Sequence, residues 1–315
     1  MLRKLSVLFF SAITIILLSS WGFFAHKKIS RMAVFSLPAP MIKFYKSNID
    51  YITEHAVDPD KRRYVNKEEA AKHYLDADHY GGFPFDSIPQ QWNEAVLKYG
   101  EDTLKAHGIV PWQIQRTYYS LVRAFKERDA GKILRHSCDL THYIADAHIP
   151  LHTTSNYNGQ FTNQVGIHGF LESRLPELFA SEYDFFVGKA RYIDNPLKEA
   201  WKFTRHTFSL TDSVFLIEAR LSKSFPSDRK YAFSERNGIL LKQYSEEYSR
   251  AYHTALNGMV EKQMQQSILV TASYWYSAWV DAGQPNLNGM KSEAEAEDKK
   301  EELLYQEGKQ LGRPE

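Results

Sequence analysis

The residues of this chain best equipped for chemistry are histidines paired with carboxylates. His142 and Asp146 are four apart, as are His168 and Glu172, so each pair shares one face of a helix. His152 follows six residues after Asp146, once Pro150 has forced the chain off the helix axis. Upstream stand His26, Asp58 and His73. Imidazole nitrogen with carboxylate oxygen is the donor set of zinc, and helix bundles collect such donors at their centre. A single His–carboxylate pair is common on solvated helices and means little. Two pairs joined by a histidine after a proline turn favour a metal centre. Other metal patterns are missing: there is no His-Glu-x-x-His, no cysteine pair and no adjacent His-Asp doublet. Zinc lowers the pKa of bound water from about 15.7 towards about 7, which is the chemistry of metal-assisted hydrolysis.

Positioning such donors requires helices, and the periodicity supplies them. From Trp21 to about Pro285 the chain reads as all-α. Pro111 can occupy the first turn of a long helix with Ile114, Tyr118, Leu121 and Phe125 on its core face. A second helix carries Ile133, Leu134, Leu140, Tyr143 and Ile144 and should end near Ile149, before Pro150. Asn156 to Gly166 reads as a loop. Later helices are expected over 169–178, 196–208, 234–256 and 260–281, with no strand-rich segment, repeat or linker. At 43% hydrophobic and 14% aromatic, the 315 residues can build a sizeable core, and a formal charge of +1 gives no general basic field for nucleic acid. Cys138, the sole cysteine, excludes an intrachain disulfide and fits a small core position. His55, His79, His107, His136, His148, His206 and His253 are read as surface or structural histidines, with His148 pointing away from the donors. Tyr118-Tyr119 and Tyr274 to Trp279 are read as core.

The two ends differ from the middle. Arg3 and Lys4 precede an apolar run from Val7 to Leu18, then Ser19 and Ser20, the pattern of a secretory signal peptide spanning 1–20. Cleavage there leaves Trp21 as the first residue and directs the chain to the periplasm or the exterior. From Asn286 to Glu315, acidic residues dominate and large apolar ones are few, which predicts a solvated tail. One helical domain over 21–285 lies between.

These motifs, in this order, resemble the superfamily of bacterial zinc-dependent phospholipases C and fungal and plant single-strand-specific nucleases. Trp21-Gly22 with His26 is similar to the family's mature N-terminus, His73-Tyr74-Leu75-Asp76 to its His-aromatic-x-Asp element, and His142 to His152 with His168-x-x-x-Glu172 to its central ligands. The resemblance implies an all-α multi-helix bundle around a trinuclear zinc site. One ion would take Asp58, His73, His142 and Asp146. A second would take His152, His168 and Glu172. The third would take the Trp21 amine and carbonyl, His26 and the other oxygen of Asp146. Asp60 competes with Asp58 as ligand; the fifteen-residue spacing of Asp58 to His73 suits the family better. Asp58 would also orient the attacking water, with metal-bound hydroxide displacing the leaving group in line. Lys61, Arg62 or Arg63 could clamp a phosphate oxygen, and Tyr74 and Asp76 could line the pocket.

The implied activity is that of a secreted phosphodiester hydrolase, acting as a monomer without an obligate protein partner on phospholipid or single-stranded nucleic acid. The Trp21–His26 spacing is nuclease-like; Glu172 and the short interval from His152 to His168 are phospholipase-like. The alternative is a helical zinc protein that binds or uses metal structurally without turnover. Against it, the second ligand group has only three protein donors, which leaves a position for water.

Overall fold

The computed structural model describes residues 23–236 and 239–290. Its longer helices are α1 (Phe23–Ala33), α2 (Val110–Glu127), α3 (Ala130–Asp146), α4 (Pro196–Phe208), α5 (Thr211–Ser224), α6 (Glu246–Ala255) and α7 (Met259–Asp281). The expected helical bundle is present. α2 opens with Pro111 in its first turn and ends at Arg128, whose φ of 56° turns the chain back. The Asp129 side chain accepts from the Lys132 amide at 2.9 Å and caps the start of α3. α3 packs against α1, α2 and α7, so almost its whole inner face is buried, His142 and Asp146 included.

α7 runs through the middle of the bundle. Its small residues Ser267, Ala272, Ser273, Ser277 and Ala278 are buried and let neighbouring backbones approach, while Trp275 fills the space beside them. The Trp275 indole donates to the Ser137 carbonyl at 3.1 Å, and the Tyr45 and Ser137 hydroxyls bond at 2.9 Å, so the polar tips of these large core residues are satisfied. Among the described residues no helix is long and apolar enough to cross a membrane.

Three expectations need correction. The segment read as helix from 234 begins instead as an antiparallel hairpin, β1 (Tyr231–Arg236) paired with β2 (Ile239–Tyr244), and helix resumes only at Glu246. Tyr231, Phe233, Leu240 and Tyr244 share a face, a period-2 pattern, and the Asn237-Gly238 dipeptide between the runs is the sequence signal for a hairpin. α5 and the helices Trp92–Tyr99 and Glu101–Ala106 lie where no helix was expected. Past Pro285, Leu287 is buried and the Trp279 indole donates to the Pro285 carbonyl at 2.9 Å, so the packed structure runs beyond the expected start of the tail. The signal peptide, Trp21 and the tail from 291 lie outside the described residues.

One strap deserves a test because it fixes His73. The Leu75 amide donates to the His152 carbonyl (2.9 Å) and the Asp76 amide to the His107 carbonyl (2.7 Å). The Ile109 amide in turn donates to the Ala71 carbonyl (2.7 Å). Gly108 sits inside this lacing at φ +88°, where a Cβ would fall 2.1 Å from the Tyr74 carbonyl oxygen. Gly108→Ala therefore combines left-handed strain with a backbone clash. Thermal unfolding should show it destabilised by about 2 kcal/mol or more; a wild-type melting temperature would show that the strap yields freely.

Candidate metal centre

The last turn of α3 brings His142 and Asp146 inward, one turn apart. The His142 Nδ1 donates to the Ala56 carbonyl at 2.9 Å, the His152 Nδ1 to the His73 carbonyl at 2.8 Å, and the His168 Nδ1 to the Tyr157 carbonyl at 3.1 Å. A carbonyl only accepts, so each Nδ1 carries a proton and each ring turns its Nε2 the other way. With His26 and His73, these nitrogens meet the carboxylates in three adjoining groups.

In the first, His142 Nε2 lies 3.1 Å from His73 Nδ1 and 3.3 Å from Asp146 Oδ2, with Asp60 Oδ1 at 3.5 Å from His142 and 3.6 Å from His73. In the second, Glu172 Oε2 stands 3.4 Å from His152 Nε2 and 2.7 Å from His168 Nε2. In the third, His26 Nε2, on a ring stacked against His142, reaches Asp146 Oδ1 at 3.3 Å and Glu172 Oε1 at 3.6 Å. Asp146 and Glu172 thus divide their oxygens between groups. A turn of π-helix, Phe170–Arg174, carries Glu172 into place just after His168.

The donors are grouped as metal ligands would be, and His73 Nδ1 also bonds Asp146 Oδ2 at 2.9 Å. Three sets, His26–His142–Asp146, Asp60–His73–His142 and His152–His168–Glu172, each hold their donor atoms within 4.8 Å. The His168 Nε2 is buried and lacks hydrogen-bond geometry to any partner among the described residues, although Glu172 Oε2 is only 2.7 Å away. Donor atoms so close, with His168 Nε2 left without a hydrogen bond, form an arrangement that a shared cation would satisfy. The electrostatics agree. Burial would raise the Asp60 carboxyl, but His142, His73 and His26 beside it hold it down to about 2. Burial likewise opposes ionisation of Asp146 and Glu172, and their histidines outweigh it, keeping both well below the usual carboxylate range.

Seven of the residues singled out in the sequence meet here: His26, His73, His142, Asp146, His152, His168 and Glu172. Asp58 does not. Its carboxylate bonds the His55 Nδ1 at 2.6 Å and accepts from Lys61 at 2.9 Å, while Asp60 faces His73 and His142. The correction is geometric: positions two apart on a helical turn point to opposite sides, so only one of the pair can face α3. Among the residues considered for substrate, Lys61 is engaged by Asp58, and Arg63 is wholly buried with its guanidinium 3.9 Å from Asp60. Tyr74 is buried and donates to the Ala106 carbonyl at 3.3 Å; Asp76, also buried, lies 3.6 Å from His107. His148 does point away from the donors: it donates to the Ile144 carbonyl at 2.7 Å and stacks on Phe203, and burial pushes it down to about 4, so it is neutral.

Glu69 is the residue the sequence reading missed, although its spacing to His73 repeats the same i, i+4 pairing. It is fully buried, with Oε1 3.8 Å from His73 Nε2, and accepts from the Tyr143 hydroxyl, Lys72 (2.6 Å) and Arg62 (3.5 Å). It makes no hydrogen bond to that nitrogen and faces the His73 ring as a charge. Burial would raise Glu69, but Arg62, Lys72 and His73 hold it down to about 2 from an ordinary 4.5. A depressed carboxylate contributes stability that is complete above its unfolded pKa and lost as pH falls through the folded one. Glu69→Gln should therefore lower the melting temperature at pH 7 and remove part of the acid destabilisation between about pH 4.5 and pH 2. Parallel acid-limb profiles would refute this role.

A helical bundle that gathers these oxygen and nitrogen donors at its centre has the make-up of a metal-dependent hydrolase. The sequence profile of the family described as zinc-dependent phospholipase C matches residues 25–235, and the chain belongs to that family. It is accordingly a zinc-dependent hydrolase of phosphoric ester bonds. No curated protein matches the chain.

Proposed function

We propose that this protein is a phospholipase C with three zinc ions. Asp60, His73, His142 and Asp146 would hold the first, and His152, His168 and Glu172 the second. His26 and the outer oxygen of Asp146 would hold the third, with the Trp21 amine supplied by removal of residues 1–20 during secretion. The observation that carries the reading is the convergence of three donor groups, with His142, His152 and His168 each held through Nδ1 by a backbone carbonyl on the far side of the ring. Bound zinc acidifies water and neutralises phosphoryl oxygens.

The chain's own residues supply the rest. Asp60 is ionised and its side chain keeps 18% exposure, whereas His73, His142 and Asp146 are sealed. It is the carboxylate placed to orient an incoming water and accept its proton. The buried imidazoles, tied to the backbone carbonyls of Ala56, His73 and Tyr157, keep the donors from relaxing as charge develops on the phosphate.

The test is parallel assay of the purified protein on phosphatidylcholine, single-stranded DNA and RNA, with chelator and with zinc restored. Chelator-sensitive release of the phosphorylated head group is expected. Cleavage of nucleic acid without phospholipid turnover would transfer the reading to the nuclease branch, and cleavage indifferent to chelator would end the zinc mechanism. Exported protein should begin at Trp21 on N-terminal sequencing, and one extra residue before it should cost one zinc per chain.

A further inference from the structure

The β1–β2 hairpin and the loop before His168 together form an exposed apolar surface. Phe161, Val165, Phe233 and Leu240 are between 67% and 72% exposed, and Tyr231 is 40% exposed. Val165 and Gly166 on the loop side, and Tyr231, Leu241, Lys242 and Tyr244 on the hairpin side, line a shared cleft of about 400 Å³. Two cations, Arg174 and Lys242, line it as well, the Lys242 ammonium lying 4.2 Å over the Tyr231 ring. Glu235, opposite Leu240, is the acidic residue on this face of the hairpin.

Ring stacking and hydrogen bonds join this surface to the metal-ligand segment. Phe170, two residues after His168, stacks on Tyr244 with ring centroids 4.0 Å apart, and Tyr244 stacks on Tyr231 at 5.1 Å. On the loop, the Asn158 side chain accepts from the Gly166 amide at 2.9 Å, and the Tyr157 carbonyl receives the His168 Nδ1. Loop and hairpin share one buried anchor, Glu218. It accepts from Gln164 of the loop (2.5 Å), from Lys230 at the foot of the hairpin (3.0 Å) and from Tyr248 of α6 (2.7 Å).

Large apolar side chains held out into water by a braced frame lose solvation free energy unless something apolar receives them. A phospholipid surface does so, and its phosphates suit the flanking cations. We infer that the Phe233–Leu240 hairpin and the Phe161–Val165 loop are a docking surface for a phospholipid bilayer, seating the protein with its ligand segment at the lipid interface. The inference deepens the phospholipase reading and rests on it only for the meaning of the docking, not for the binding itself.

Two double variants test it, Phe233→Ser with Leu240→Ser and Phe161→Ser with Val165→Ser; all four side chains are outside the ligand groups. Co-sedimentation would use vesicles of phosphatidylcholine containing about 30 mol% phosphatidylglycerol. Each double variant should partition at least about tenfold less than wild type. Hydrolysis of vesicle lipid should fall in step, while turnover of dihexanoylphosphatidylcholine below its micelle threshold stays unchanged. Lys242→Glu should weaken binding to these vesicles more than to pure phosphatidylcholine. Wild-type protein that stays in the supernatant, or hairpin variants that sediment like wild type, would overturn the inference. So would equal losses on vesicles and monomers, which would make the residues structural. Hairpin-dependent sedimentation without phospholipid cleavage would keep the surface and sink the substrate reading; monomer turnover with hairpin-independent binding would do the reverse.

Discussion

Asp60→Asn is expected to lower kcat/KM on a soluble phosphodiester by about a thousandfold, and Asp58→Asn by no more than about threefold. Asp60 is the partly exposed carboxylate facing His73 and His142, held ionised by the imidazoles around it. The amide keeps the shape but loses the charge, and with it both metal affinity and the capacity to take a proton from water. Asp58 is occupied elsewhere, by His55 and Lys61. Exchanging it gives up a peripheral ion pair contributing about 1 kcal/mol at most. Zinc content by atomic emission separates the two components of the Asp60 effect: a lost ion accounts for affinity, a retained ion with lost rate for proton transfer. Should Asp58→Asn prove the inactive variant and Asp60→Asn the active one, the donor arrangement described above is wrong.

Removing metal is expected to cost thermal stability on a comparable scale. The centre buries three ionised carboxylates among five imidazoles, a density of charge and unpaired donors that favours a bound cation. A ligand present at a thousandfold excess over its Kd stabilises the folded chain by about 4 kcal/mol. For a domain of this size that corresponds to about 10 °C in Tm per ion. Chelation should lower the melting temperature of the wild type by at least that much, and added zinc should restore it. His142→Ala should start low and respond far less to either treatment, because His142 belongs to two of the three donor sets and its Nδ1 bond to Ala56 ties them to the turn before Asp60. A wild-type Tm indifferent to chelator would show that folding and site assembly are uncoupled.

Much of the site was legible in the chain itself, for a local reason. His142 and Asp146, like His168 and Glu172, are one turn apart, and helical geometry alone puts each pair on one face. Pro150 ends that face and accounts for His152 standing off it. Pro111 marks a helix start whose stereochemistry depends on neighbours a few residues away. The bundle class follows from the same short-range periodicity. The failures share a reason too. Thr211–Ser224 has a weaker apolar stripe than α1 to α4 and α6, and the hairpin alternation of Tyr231 and Phe233 is submerged in a segment that goes on into a true helix.

What the sequence by itself determined is therefore the kinds of donor and their grouping by turns, since the backbone's repeat dictates both. Which of Asp58 and Asp60 faces inward, that Glu69 stands behind His73, and that the aromatic hairpin stacks on the ligand segment were decided only by tertiary packing. Two carboxylates two residues apart are chemically alike, and they become different only when α3 supplies His142 to one side of the turn while His55 and Lys61 engage the other.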